Sequence, residues 1–217
     1  MRKLATPVLL ALGILGQPAL ADPVVYQQAV IAGGNQFASQ NDPGPNGDFA
    51  KVFDNFRLSA KTRITDVHWV GGYFNPALQA PITSFLVQIW SDAAGPGTAL
   101  LADAQAGVAN ETLISGTVYR YDIDLTTAFV AEANTTYWLS IQPTLLFPPQ
   151  WGWAAGTGGD GVAYQDLFNT RTQQALDLAF SLTGNVLPAP ASLGLVGLAL
   201  VGLASTGALA AARRKRA

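Results

Sequence analysis

Two tryptophans with strand-like spacing are the residues of this chain best suited to ligand chemistry. Trp151 and Trp153 are separated by one glycine, and in a β-strand residues two apart point to the same face. Flanked by two prolines and by the glycine-rich segment 156–161, their rings could form an exposed platform on which sugar rings stack. The alternative, which we favour, is that both rings fill a core, as large aromatic side chains usually do.

A loop rich in oxygen ligands is a second candidate site. Asp42, Asn46 and Asp48 lie within the proline- and glycine-containing segment 41–48, and calcium binds six to eight oxygens. The segment lacks the spaced aspartates and closing glutamate of a calcium loop, and any turn-rich loop contains the same residue types. Calcium is therefore the one candidate cofactor, with Asp160 in a later loop as a weaker ligand.

The residue types needed for catalysis are scarce. The chain has no cysteine and one histidine, His68, which excludes thiol catalysis, cysteine–zinc sites and multi-histidine metal sites. No spacing selects a facing carboxylate pair of the kind that a glycosidase needs. His68 alternates with Val67 and Trp69, so it should share the opposite face with Asp66 as a surface or hydrogen-bonded structural residue. We therefore expect no enzymatic activity.

Short stretches with period-two alternation must position these residues. They cover residues 24–31, 51–58, 64–70, 82–90, 118–125, 136–142 and 176–182. Glycine- and proline-rich breakers at 41–47, 71–72, 95–97 and 156–161 separate them. Many short alternating strands between such loops predict an all-β fold, specifically an antiparallel β-sandwich of the jelly-roll type.

Signals at the two ends bound this body. A basic start at residues 2–3, an apolar centre at 8–15 and small residues at 19 and 21 predict a signal peptide over residues 1–21. At the other end, the uncharged, mostly apolar segment 191–212 is long enough to span a bilayer as a helix. The basic cluster that follows fits a cytoplasmic stop: Arg213, Arg214, Lys215 and Arg216.

The charge of the chain is distributed unevenly between these parts. The body, residues 22–185, holds all fourteen acidic residues and six of the twelve basic ones, for a net charge of −8. An acidic exported domain argues against binding of the phosphate backbone of nucleic acids, which needs clustered lysine and arginine. About 164 residues also suffice for one domain with a core that needs no disulfide.

The C-terminal arrangement resembles a known sorting signal. Pro188, Ala189 and Pro190, the apolar helix and the basic cluster over residues 186–217 look like the PEP-CTERM domain of Gram-negative bacteria, with Ala189 where that signature has glutamate. The resemblance implies export across the inner membrane and cleavage by an exosortase, followed by release or transfer to the cell surface. A plain membrane anchor is the alternative for this tail.

The body resembles the ectodomains that commonly precede such tails. The similar pieces are the segments 52–56, 70–74, 95–97, 137–140 and 177–180. This resemblance implies a β-sandwich and no reaction. We therefore predict a surface-sorted structural or adhesive protein of the cell envelope or exopolysaccharide matrix. Alternatives are a carbohydrate-binding module that uses Trp151 and Trp153, and a glycan-processing enzyme. The predicted partners are signal peptidase, the exosortase, the membrane before processing and extracellular polysaccharide.

Overall fold

The computed structural model describes residues 22–106 and 111–188 of the protein, and its regular elements there are all β-strands. They are β1 (Val24–Val30), β2 (Gln36–Ala38), β3 (Gln40–Asp42), β4 (Gly47–Arg57), β5 (Thr62–Phe74), β6 (Ser84–Asp92), β7 (Pro96–Ala106), β8 (Thr112–Ser115), β9 (Val118–Ala131), β10 (Thr136–Thr144), β11 (Gln150–Thr157), β12 (Ala163–Leu167), β13 (Thr170–Gln174), β14 (Asp177–Leu178) and β15 (Phe180–Val186). The predicted all-β class is confirmed.

The strands form two sheets. The eight-stranded sheet has the order β14-β11-β1-β15-β5-β9-β8, with β2 also paired to β11 and a second pairing between β11 and β5. The seven-stranded sheet has the order β13-β12-β4-β3-β10-β6-β7. Among the described strands the pairing is antiparallel except for one parallel bridge between β3 and β10. Neighbouring strands are often distant in sequence, so long-range pairing defines this fold.

One hydrophobic core lies between the sheets and follows from the alternation of each strand. In β5, Val67 and Trp69 point inward and His68 points outward. The Trp69 ring packs edge-on against Phe85 of the other sheet, with ring centroids 5.0 Å apart. Tyr121 of β9 stacks on Trp69 at 5.5 Å and also contacts Phe85, with ring centroids 5.1 Å apart. Aromatic contacts of this kind join the two sheets into one packed unit.

The predicted break at Gly71 and Gly72 is wrong, because both glycines lie inside β5. A Cβ on Gly71 would lie 2.1 Å from the Trp151 ring, and one on Gly72 would lie 2.3 Å from the Thr117 carbonyl. The strand therefore continues through both positions, and the missing side chains leave room for a tryptophan and a neighbouring backbone. Here glycine marks a close approach rather than a turn.

The predicted end segments lie largely outside the described residues. These include the signal peptide, the helix 191–212, the basic cluster 213–216 and the motif residues Ala189 and Pro190. Pro188 is described and exposed after β15, beyond the bond from the Leu187 N–H to the Lys61 carbonyl. Within residues 22–106 and 111–188, no helix has the length and hydropathy needed to cross a membrane.

Candidate functional site

The structure corrects the prediction of an exposed tryptophan platform. Trp151 and Trp153 do share one face of β11, but that face is the core, and both side chains are 0% exposed. The Trp151 indole N–H donates to the Tyr121 hydroxyl at 3.1 Å, and that of Trp153 donates to the Ala179 carbonyl at 2.9 Å. Buried rings with satisfied N–H groups cannot stack on a sugar, so the core alternative is correct.

The proposed calcium loop is organised by the carboxylate of Asp42. One Asp42 oxygen accepts the N–H groups of Gly44 and Phe147, and the other accepts the backbone and side-chain N–H groups of Asn46. Burial alone would raise the pKa of Asp42, but these N–H donors lower it below its usual value. The carboxylate thereby holds its own turn and also positions Phe147.

Asp48, the third predicted calcium ligand, turns to other partners. Its carboxylate accepts the amide of Gln142 and lies 3.5 Å from the Lys51 ammonium. Within the described residues, no group of three or more acidic, histidine or cysteine side chains is arranged to hold a metal ion. Calcium binding at Asp42, Asn46 and Asp48 stays a prediction, and the contacts seen are those of a turn.

An exposed aromatic cluster lies beside this loop, and we call it the aromatic tip. It consists of Phe147 and Phe168, which pack against the buried Phe49 with ring centroids 6.1 and 5.6 Å away. Phe168 is 64% exposed and Phe147 39%, and their neighbours Leu146 and Leu167 are exposed as well. Exposed apolar side chains grouped in this way around one buried ring are a candidate interaction site.

The backbone beneath Phe168 is unusual for its residue type. Leu167 pairs with Thr170, so Phe168 and Asn169 form a two-residue turn between β12 and β13. Their φ angles are 46° and 64°, as a type I′ turn requires. Asn and Gly are preferred at such positions, and a bulky side chain there costs about 1–2 kcal/mol. A costly conformation that presents an exposed ring suggests a functional role.

A polar groove of about 420 Å³ adjoins the aromatic tip. It is lined by Phe49 and Ala50 and by polar side chains of β4, β12 and β13, namely Asp48, Lys51, Asp166, Asn169 and Arg171. Arg171 donates twice to Asp166, both at 2.7 Å, and these hydrogen bonds raise the pKa of the guanidinium. Lys51 faces Asp48. Each cation is thus matched by a carboxylate, and the groove offers donors and acceptors without net charge.

The single histidine lies on the outer face of the eight-stranded sheet, where the sequence placed it. Its Nδ1 is 2.6 Å from an oxygen of Asp122, so the prediction of a hydrogen-bonded histidine is confirmed. The partner is Asp122 on β9 rather than the nearby Asp66, whose carboxylate accepts the hydroxyls of Thr65 and Thr183. Alternation predicts the face of His68, whereas only the pairing of β5 with β9 reveals Asp122.

The aromatic tip was missed because its parts are far apart in sequence. Phe147 and Phe168 lie in loops, and Phe49 lies at the start of β4. One local signal was present, since the Phe168-Asn169 pair between two short polar strands fits a two-residue turn with phenylalanine in an unfavourable position. No periodicity connects that turn with residue 147, so its position beside Phe147 required the tertiary structure.

The comparisons with known proteins are sparse. A family model described as a domain of unknown function (DUF7901) matches residues 103–183. The matched segment includes Phe147 and Phe168 of the aromatic tip and Asp122 of the outer face, but neither Phe49 nor His68. No curated protein matches the chain. The function must therefore be inferred from the geometry of the site.

Proposed function

We propose that this chain is an exported, surface-sorted adhesive β-sandwich that binds neutral polysaccharide through the aromatic tip. The observation that carries the proposal is the pairing of exposed Phe147 and Phe168 with the charge-balanced groove beside them. Aromatic rings cover the apolar face of a sugar ring, while carboxylate, amide and guanidinium groups exchange hydrogen bonds with its hydroxyls. This replaces the tryptophan platform as the basis of the carbohydrate-binding alternative.

The charge distribution favours a neutral polysaccharide over an anionic partner. The body carries a net charge of −8, and the two cations of the groove are already paired with Asp48 and Asp166. An anionic bilayer or a uronic acid polymer would be repelled by these carboxylates and would find no unpaired positive charge in the groove. Hydroxyl groups suffer no such repulsion, because they can both donate to the carboxylates and accept from the cations.

The end signals support the location that we propose. The signal peptide, the tail over residues 186–217 and its resemblance to the PEP-CTERM domain are consistent with export, exosortase processing and delivery to the envelope or exopolysaccharide matrix. As part of the same proposal, we assign the β-sandwich to the jelly-roll type. Mass spectrometry of the mature C-terminus would test the sorting step, because an uncleaved tail after export contradicts processing.

Loss of the exposed rings should weaken polysaccharide binding at least tenfold without unfolding the protein. The test compares the wild-type full chain with the double variant Phe147→Ala/Phe168→Ala in affinity electrophoresis through β-glucan, mannan and alginate gels. We expect the wild type to be retarded by a neutral polysaccharide and the variant to lose at least tenfold in affinity. An aromatic side chain that stacks on a base of single-stranded nucleic acid contributes about 1–3 kcal/mol to binding. We expect each phenylalanine that stacks on a sugar to contribute an amount at the lower end of that range.

A matched control removes exposed apolar side chains elsewhere. Leu100 lies on the edge strand β7, at the other side of its sheet from β12 and β13, and Leu113 lies on β8 of the second sheet. The double variant Leu100→Ala/Leu113→Ala should bind like the wild type. Unchanged binding by the Phe147/Phe168 variant would contradict the proposal, and so would tip-dependent binding to anionic lipid vesicles in place of polysaccharide.

A single change at the turn should separate stability from binding. Phe168→Asn places a residue with a high left-handed preference at φ 46°, so the free energy of unfolding should rise by up to about 1 kcal/mol. Polysaccharide affinity should fall, since the exposed ring is gone. Chemical denaturation and affinity electrophoresis of the same preparation provide both values. A variant that is less stable and binds normally would argue that Phe168 is retained for packing.

A further inference from the structure

The outer face of the eight-stranded sheet aligns a serine, a histidine and an aspartate on three neighbouring strands. Ser181 of β15 is the direct cross-strand partner of His68 on β5, and His68 is the direct partner of Asp122 on β9. Directly opposed residues of antiparallel strands share a face, with Cβ atoms about 4.5–5.5 Å apart. We propose that these three residues form a hydrolytic site for O-acyl esters, independent of the aromatic tip.

The histidine is held in the orientation that a general base requires. Its Nδ1 lies 2.6 Å from the Asp122 carboxylate, and in the neutral tautomer that donates from Nδ1 to this carboxylate, Nε2 presents its lone pair. Nε2 is buried and has no hydrogen-bond partner within the described residues. Asp122 and Ser181 lie on the two strands that flank His68, β9 on one side and β15 on the other. An oriented base with an unused nitrogen is what activation of a serine needs.

The serine is available for this role. Within the described part of the chain its hydroxyl makes no hydrogen bond, whereas the neighbouring Thr183 donates to Asp66. No hydrogen bond joins Ser181 to Nε2 in the structure, and contacts of this kind in active sites commonly shorten only when substrate binds.

The three residues line one groove of about 510 Å³ that can hold a small acyl group. Val70 and Ala179 form part of an apolar floor, which is shared with a small hydrophobic cluster on this outer face. Arg120 also lines the groove, and the described residues include no carboxylate in an ion pair with it. A free guanidinium can stabilise the charge that develops on a carbonyl oxygen.

The reaction follows from these positions. Ser181 transfers its hydroxyl proton to His68 Nε2 while its oxygen bonds to the ester carbonyl carbon, and the carbonyl oxygen becomes an oxyanion beside Arg120. The ester C–O bond then breaks, and the leaving alkoxide takes the proton from Nε2. Water, deprotonated by the same nitrogen, releases the acid from the acyl-serine and restores the hydroxyl. An ester is the fitting substrate class because its alkoxide leaves more readily than an amine.

The test uses covalent labelling, which does not require the natural substrate. The full chain is incubated with a fluorophosphonate probe, digested and analysed by mass spectrometry, and its hydrolysis of p-nitrophenyl acetate is measured. We expect the label on Ser181 and its loss in Ser181→Ala and His68→Ala. Asp122→Asn keeps the shape of the pair but loses the charge, and should lower the hydrolysis rate by about 10²–10⁴-fold.

Controls separate catalysis from a structural role of the same residues. Ser59→Ala removes an exposed serine outside the three aligned strands and should leave labelling and hydrolysis unchanged. Thermal unfolding of Asp122→Asn shows whether the variant is still folded. If the His68–Asp122 pair has only a structural role, the variant should change in stability, and Ser181 of the wild type should not be labelled. Hydrolysis no faster than in buffer, or a wild-type protein unlabelled at Ser181, would overturn the proposal. Polysaccharide binding by the aromatic tip is unaffected by either result.

Discussion

Replacing Trp151 by alanine is expected to lower the free energy of unfolding by about 3–5 kcal/mol. The ring is fully buried, packs edge-on against Phe85 and Tyr121 at 5.9 and 5.8 Å, and fills the space above Gly71. Its removal would leave a cavity between the sheets and remove the hydrogen bond that the indole N–H donates to the Tyr121 hydroxyl. Since small domains are stable by only about 5–15 kcal/mol, the loss is a large fraction of the total stability.

Chemical denaturation of the purified variants measures this effect. Trp151→Phe retains most of the buried area and should be destabilised much less, which keeps the comparison possible if Trp151→Ala does not fold. Phe168→Ala is the matched aromatic control, because that ring is mostly exposed and its loss should cost little stability. A Trp151→Ala protein as stable as the wild type would contradict the core position of the ring.

The free energy of unfolding is also expected to fall as the pH rises from about 4 to 8, because of Asp54. Its carboxyl group is fully buried between the sheets, and this burial raises its pKa to about 8, with the nearby charges of Asp177 and Asp160 acting in the same direction. The Leu178 and Asn55 N–H groups donate to Asp54 and lower its pKa, but they only partly offset the rise that burial causes. The folded protein therefore holds a proton that the unfolded chain, with an ordinary aspartate pKa, has released.

The sign and size of this effect follow from proton linkage. Where the folded state binds more protons than the unfolded state, stability decreases with pH, so the contribution of Asp54 is full below about pH 4 and lost by about pH 8. Each pKa unit corresponds to about 1.4 kcal/mol, which makes the expected decline several kcal/mol. The charge that forms above this pH is buried where β4 of one sheet meets β14 of the other, since Asp54 accepts the Leu178 N–H.

Urea denaturation at pH 5 and pH 8 tests this expectation. The wild type should be markedly less stable at pH 8, whereas Asp54→Asn, which cannot titrate, should show a much smaller difference between the two pH values. The change in the free energy of unfolding between the two pH values is compared, rather than its absolute value, because asparagine also changes the hydrogen bonds to Leu178 and Asn55. An equal change in both proteins would show that a group other than Asp54 titrates.

The sequence predicted the strands whose alternation is regular and missed those that depend on tertiary contacts. The stretch at 51–58 covers the C-terminal part of β4 and ends one residue beyond it, and the stretch at 136–142 covers most of β10. Alternation identified both because one side of each strand meets the core. β12 and β13 are short and largely polar, with no apolar alternation to indicate them. Their pairing is stabilised by β4, an interaction over more than a hundred residues that no local pattern encodes.

The candidate sites show the same division between local pattern and long-range pairing. The spacing of Trp151 and Trp153 correctly placed the rings on one face, but spacing alone does not say whether that face meets water or the second sheet. The outward position of His68 was predictable from Val67 and Trp69, whereas Ser181 and Asp122 became its neighbours only through strand register. Register is determined by the whole sheet.

The most direct test of the polysaccharide-binding account is hydrogen–deuterium exchange of the full chain with and without a neutral oligosaccharide selected by affinity electrophoresis. Binding at the aromatic tip should slow exchange in three separate segments, residues 46–51, 145–149 and 165–171, because they meet only there in the folded protein. Protection confined to other surfaces, or no protection at saturating ligand, would contradict the account.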